Sequence, residues 1–233
     1  MKVEIWSDVM CPFCYIGKRK FEKALEQFPQ KDKVEIIWKS FQLDPTTITD
    51  PSLNTIENLR LKKGWSVEQA NETMAYVTDI ANKVGLEFNF DKAVVANSFD
   101  AHRLSHLAKK YGKQNELEEK LFEAYFTKGK NTADYETLLQ IGKDLGINES
   151  EVSDVLKGDT YSNEVNTDVY EAQTIGISGV PFFVIDQKYA VSGAQETQVF
   201  LQALTKAYQE SEPSLENRGD DNSAVCGPEG CDV

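Results

Sequence analysis

Apolar and polar residues alternate from Lys2 to Ser7 (Lys-Val-Glu-Ile-Trp-Ser). That two-residue period is the mark of a strand. A second, more apolar run from Lys33 to Phe41 predicts another strand. Between them, from about residue 12 to 28, the period lengthens. Cys14, Phe21, Leu25 and Phe28 recur at steps of seven, four and three, which is one face of a helix. Strand, helix, strand predicts a βαβ unit with parallel strands.

The pattern changes near Asp44. Asp44-Pro45-Thr46-Thr47 and Asp50-Pro51 read as a loop. Helical spacing then occupies about 55–63, 66–84, 97–111, 115–127, 134–145, 148–157 and 160–174. Gly64, Gly112, Gly129, Gly146 and Gly158 fall near the joins, where helix ends favour glycine. Ser66 and Gln69 have the spacing of a capping box. Strand character returns at Pro181 to Ile185, turns at Asp186-Gln187, and runs back through Lys188 to Ser192 as a hairpin. A last helix is predicted over about 195–209.

These elements divide the chain into four parts. Residues 1–43 and 175–209 are two halves of one α/β domain. Residues 44–174 are an inserted α-helical domain. Residues 210–233 carry seven acidic side chains against Arg218 alone, with few large apolar residues, and read as a flexible acidic tail.

Composition narrows the function classes. The 233 residues hold 25 Lys plus Arg against 38 Asp plus Glu, a net charge of −13. Nucleic acid and anionic membrane both require a basic face, so neither is an expected partner. No apolar run approaches the ~20 residues of a membrane helix. The first residues show neither an apolar signal core nor a small-residue cleavage site, so a cytoplasmic location is expected. Cysteines in a reducing compartment are more often catalytic, redox-sensing or metal-binding than structural.

Two of the four cysteines are placed for chemistry. Cys11-Pro12-Phe13-Cys14 follows the first strand and opens the first helix. Unpaired backbone N–H groups and the positive end of the helix dipole favour a thiolate there. Cys11 is therefore the expected nucleophile, exposed at the helix start. Cys14, one turn in and on the apolar stripe, is expected to be buried and to resolve a mixed disulfide at Cys11. Pro12 suits the first helical turn. A C-x-x-C inside a βαβ unit reads as a redox motif; core cysteines or half a zinc site are the alternatives. Gly179-Val180-Pro181 opens the third strand, where a proline can be cis or can simply begin an edge strand.

Several segments together resemble the DsbA family of thioredoxin-fold disulfide oxidoreductases, in particular its FrnE-like branch. They are Ser7 to Lys18 around the C-x-x-C, Asn97 to Leu104, Gly176 to Pro181, and Cys226-Gly-Pro-Glu-Gly-Cys231. The resemblance spans nearly the whole chain. It implies a thioredoxin-like fold with a large inserted α-helical domain. It also implies Cys11 as attacking thiolate, Cys14 as resolving thiol, and a cis-proline loop at Val180-Pro181 that contacts substrate. Pro12, Phe13 and His102 join that loop in the expected substrate-binding set. Phe13 stands where the strongly oxidising founding member has histidine, so extreme oxidising power is not expected.

The resulting expectation is a cytosolic dithiol–disulfide oxidoreductase or isomerase acting on protein or peptide disulfides, recharged by a separate redox partner. No organic cofactor is required, because the cysteines carry the electrons. A zinc site of all four cysteines is disfavoured by the reactivity of the first pair, and no metal is expected. His102 and His106, spaced i, i+4, are read as helix-packing residues and not as ligands. One alternative is a glutathione-dependent isomerase or kappa-type transferase, which usually has serine where Cys11 stands. The other is a redox- or zinc-regulated chaperone module.

Cys226 and Cys231 form the expected secondary redox pair, since Gly-Pro-Glu-Gly between them is turn chemistry. About 16 residues separate them from the last predicted helix, an r.m.s. span of roughly 20–24 Å, enough to reach the C-x-x-C. Tethering would raise the local thiol concentration towards the millimolar range. If the tail relays disulfides, a chain ending at Asn222 turns over more slowly than the full chain. A Cys14→Ser background then yields a Cys11–Cys226 or Cys11–Cys231 crosslink. Equal turnover and no crosslink would leave the tail without a redox role.

Overall fold

A computed structural model describes residues 1–211 and the backbone of 226–227 and 230–231. Strand β1 (Lys2–Ser7) leads into helix α1 (Pro12–Gln27), and β2 (Glu35–Ser40) returns parallel to β1. Helix α1 ends at Phe28, immediately before Pro29, which cannot continue it. Far along the chain, β5 (Phe182–Ile185) and β6 (Tyr189–Ser192) form the expected hairpin, turning through Asp186 and Gln187, both at positive φ. Strand β5 runs antiparallel to β1, giving one four-stranded sheet in the order β2-β1-β5-β6.

The sheet is covered on both faces, so β1, near its middle, is apolar on both. Val3 and Ile5 join the main core, while Trp6 joins a smaller cluster with Ala172 and Ile177. Helices α1 and α9 (Thr197–Ser211) pack together on the first face. There Phe21, Phe183 and Phe200 meet with ring centroids 4.6–5.8 Å apart. Aromatic pairs in that range add about 0.5–1.5 kcal/mol each beyond area burial.

Between β2 and β5 the insertion supplies α2 (Thr55–Lys63), α3 (Val67–Lys83), α4 (Phe99–Lys110) and α5 (Gln114–Phe122). Helices α6 (Tyr135–Asp144), α7 (Glu149–Lys157) and α8 (Ser162–Thr174) complete it. The capping box of Ser66 and Gln69 is present. Gly64 closes α2 in the left-handed conformation, with φ 67°. Gly158 ends α7 with extended backbone instead, at φ −104°.

Two local features depart from the sequence pattern. Asp50–Asn54 (β3), read in part as loop, pairs antiparallel with Val94–Val95 (β4). Neither piece has the length or alternation to announce a strand; each exists only because the other lies beside it. The helix expected over 115–127 widens at Glu123–Thr127 into a π-type turn. The Phe126 carbonyl accepts the Asn89 amide at 2.7 Å, a partner distant in sequence.

Insertion and sheet are joined by contacts invisible to local patterning. Tyr15 of α1 stacks on Phe122 and Phe88 at 5.0 and 6.0 Å. Its hydroxyl donates to Glu119 at 2.6 Å. Glu119 also accepts from buried Lys18 at 2.8 Å and from Arg19. Burial works against its charge, but these three donors outweigh it and hold its carboxyl at about 2. Helix α8, placed by sequence in the insertion, packs against β2. Its Asp168 carbonyl accepts the Trp6 indole N–H at 3.0 Å. The Asp168 carboxylate takes Lys39 at 2.9 Å, the Ser40 amide at 2.9 Å and His106 Nε2 at 3.0 Å.

Asp168 is thus a buried anion at the junction of β2, α4 and α8. Burial tends to raise its pKa, but the His106, Ser40 and Lys39 hydrogen bonds lower it overall. A carboxyl depressed in the folded state contributes stability above its unfolded pKa and loses it as pH falls through the folded one. Breaking such a group costs about 3–5 kcal/mol. Urea unfolding of Asp168→Asn should therefore show a loss of about 3 kcal/mol near neutrality. The gap to the parent protein should narrow below about pH 4. A gap independent of pH would show that the charge contributes nothing.

Candidate active site

The β1–α1 turn is built by Asp8. Its Oδ1 accepts the Met10 amide at 3.2 Å, and its carbonyl accepts the Cys11 amide at 2.9 Å. Its Oδ2 accepts the Leu43 amide at 2.8 Å, fastening the segment after β2 to the same turn. Cys11 is the N-cap of α1 and Pro12 fills the first helical position. The Cys14 amide donates to the Cys11 carbonyl at 3.0 Å, setting the two cysteines one turn apart.

The loop before β5 closes over this turn. The Val180–Pro181 peptide is cis. The Val180 carbonyl oxygen lies 3.5 Å from Cys11 Sγ. The sequence predicts an exposed Cys11; the structure buries it at 4% exposure, because that loop lies against the sulfur. Cys14 is 1% exposed, and neither residue is in a disulfide. Burial pushes the Cys14 thiol well above the usual cysteine range, and the neighbouring Cys11 adds to the rise. Ser7 and the Asp8 backbone oppose it only in part.

Of the other predicted site residues, Phe13 is exposed and Pro12 half-buried, both at the rim. Exposed Leu43 hangs from the same turn. A cavity of about 390 Å³ adjoins Val180 and Pro181, lined also by Gly179, Phe182 and Ser192. His102 corrects the expectation. It is 2% exposed and faces Asp8, with Nε2 3.7 Å from Oδ1, so it cannot touch a substrate in this arrangement. Helix α4 turns both histidines inward, and His106 goes to Asp168 and Ser40. Both contacts of His106 fall on the one nitrogen, so this trio does not have the geometry of a hydrolytic triad.

Among the described residues no three potential metal ligands converge. No described helix is long and apolar enough to cross a membrane. Cys226 and Cys231 face each other across a short antiparallel backbone pair. Their side chains, and residues 212–225, lie outside the described residues.

Sequence reasoning missed Asp8, Ser7 and Gly17. An aspartate three residues before a helix-opening cysteine is a legible turn signal. Gly17 is not legible in that way. A Cβ there would stand 2.9 Å from Pro181 Cγ and 3.5 Å from Phe183, so only glycine lets α1 approach the proline loop this closely.

The fold and the paired thiols define a thioredoxin-type exchange site, and comparison with known proteins identifies the family. Residues 2–205 match the DSBA-like thioredoxin domain, and the chain belongs to that family. The crystal structure of a probable DsbA oxidoreductase from Streptomyces coelicolor superposes with a TM-score of 0.83 at 39% identity. That match covers 100% of this chain and 99% of the other. The uncharacterized Bacillus subtilis protein YwbO is 28% identical over 205 residues, 87% of this chain and 95% of its own. The cytosolic disulfide reductase DsbM from Pseudomonas aeruginosa shares the fold, with a TM-score of 0.62 and 16% identity. It covers 91% of this chain and 98% of that one. The protein is a thiol–disulfide oxidoreductase.

Gly17→Ala tests the helix–loop contact. Alanine would gain about 1 kcal/mol of helix propensity. Overpacking against Pro181 would cost about 1–3 kcal/mol. The expected outcome is a net loss of about 1 kcal/mol in urea unfolding, with slowed exchange because displacing the proline ring shifts the Val180 carbonyl that lies against Cys11. A more stable and fully active variant would show the contact to be slack.

Proposed function

We propose that this protein exchanges disulfides of protein or peptide substrates in the cytosol, with Cys11 as attacking thiolate and Cys14 as resolving thiol. The observation that carries the reading is the asymmetry of the pair. Cys14 is sealed, and its environment favours the neutral thiol. Cys11 caps the helix beside the Val180 carbonyl and an apolar rim of Phe13 and Leu43.

In the reductive direction, Cys11 sulfur attacks a substrate disulfide, forming one S–S bond and releasing one substrate thiolate. Cys14, deprotonated, then attacks Cys11 sulfur. The Cys11–Cys14 disulfide forms and the second substrate thiolate leaves. Two electrons pass to the substrate, and an external dithiol partner must return them. Isomerisation results when, in place of Cys14, a substrate thiolate attacks the mixed disulfide, forming a new substrate S–S bond and releasing the Cys11 thiolate. The cytosolic assignment is in keeping with DsbM, which shares the fold. The alternative glutathione-transferase chemistry would have serine at the position of Cys11, and this chain keeps both thiols.

Cys11→Ser should lower disulfide reductase turnover by roughly a thousandfold or more, since it removes the nucleophile. Cys14→Ser should retain capture and accumulate mixed disulfides at Cys11, visible by mass spectrometry of the intact protein. Normal turnover in Cys11→Ser would refute the assignment.

A further inference from the structure

On the insertion side, the strip of chain that follows β2 borders the thiol site. The Phe41 amide donates to the Ser7 carbonyl at 3.0 Å, and the Leu43 amide donates to Asp8 at 2.8 Å. Gln42 stands between these two anchored residues and lines a cavity of about 500 Å³, together with Thr49, Asn97, Phe99 and Asp100. That cavity shares no lining residue with the one at Val180 and Pro181. The exchange reaction, as described, does not use it.

Its free polar groups are acceptors. Asp100 receives both contacts of Arg103 on Oδ1, each at 3.1 Å, and Oδ2 has no partner among the described residues. Gln42 donates its side-chain amide to Asn97 Oδ1 at 3.2 Å, and its own carbonyl oxygen accepts nothing among the described residues. Asn97 is saturated and shapes the wall: Oδ1 also takes the Phe99 amide at 2.9 Å, and Nδ2 donates to the Thr47 carbonyl at 2.8 Å. The Phe99 ring adds an electron-rich face, with the Arg103 guanidinium 5.9 Å from its centroid. The wall therefore already holds one guanidinium, that of buried Arg103, between a carboxylate and a ring.

Charge favours a second cation. Asp44 and Asp50 adjoin the lining residues Pro45 and Thr49. With Asp100 they set three carboxylates against two cations, Lys62 on Asp44 and Arg103 on Asp100. The N-terminus of α4 would attract an anion, but Asp100 in its first turn already meets that dipole. The whole chain carries a net charge of −13, which draws cationic partners towards it.

We propose that this cavity is a subsite for a basic side chain, arginine or lysine, of the peptide that brings its disulfide to Cys11. This inference rests on the exchange reading above and names the substrate that the reading leaves open. The ammonium or guanidinium group donates to Asp100 Oδ2 and the Gln42 carbonyl oxygen and lies against Phe99. Reach is sufficient. Cys11 and Leu43 both donate their amides to Asp8, and Gln42 is one residue, ~3.8 Å, further on. An extended peptide covers such a path in about three to five residues, at ~3.3 Å each. The basic residue therefore stands about three to five positions from the reacting cysteine of the substrate. Contacts so far from the sulfurs are the same in the ground and transition states, so they act on KM.

The test uses fluorogenic mixed-disulfide peptides with one reacting cysteine. A single arginine is placed at distances from about two to about ten residues on either side, with citrulline, alanine and glutamate controls. Arginine should raise kcat/KM about five- to tenfold at about three to five residues on one side, chiefly through KM. Citrulline, equal in shape but uncharged, should lose that gain. An arginine about ten residues away should give none, which separates the subsite from general attraction of cations to an acidic protein. Asp100→Asn should bring the arginine-to-alanine ratio down to about one. If Asp100→Asn does not fold, the position dependence in the parent protein still decides. Equal turnover of arginine and alanine peptides at every position would overturn the subsite. So would a gain that persists at long distance or in Asp100→Asn, or a preference for glutamate. Each of these outcomes leaves Cys11-dependent exchange standing. Equal turnover of the whole series by Cys11→Ser would instead overturn the exchange reading itself.

Discussion

The arrangement depends on how closely the first turns of α1 approach the Val180–Pro181 loop. Gly17 presents no Cβ, so the Pro181 ring rests directly on the helix. That contact brings the Val180 carbonyl to the Cys11 sulfur. It also joins the two sequence-distant halves of the sheet, since β5 continues from Pro181 and pairs with β1. The same close packing therefore closes the sheet and shapes the reactive turn.

Around that contact, polar groups do what apolar packing cannot. Asp8 holds the β1–α1 turn through the Met10 and Cys11 amides and ties it to the segment after β2 through the Leu43 amide, each bond directional. Asp168 gathers β2, α4 and α8 with its carboxylate. Glu119 gathers the side chains of α1 onto α5. These buried anions are costly to desolvate, and each is compensated by several donors. Their gain is orientation: hydrophobic burial would hold the insertion against the sheet but would not set its angle.

The inserted helices thus have two relations to the chemistry. Their aromatic cluster fixes α1 through Tyr15, the residue that follows Cys14. Helix α4 instead sends His102 to the residue that builds the cysteine turn.

Much was legible in the sequence because it is written in local periods. The βαβ start, the hairpin, seven inserted helices and the Ser66–Gln69 box follow from spacing and end chemistry that depend on near neighbours. The C-x-x-C at a helix start was legible for the same reason, as was Cys14 on the apolar stripe. The short β3–β4 pair and the π turn at Glu123–Thr127 were not, because distant partners create them. Nor was the inward turn of His102, the covering of Cys11, or the need for glycine at 17. Each is a contact across more than sixty residues of chain. Local sequence determined which elements form and that Cys14 would be buried; only tertiary packing covered Cys11 and decided what stands beside the sulfurs.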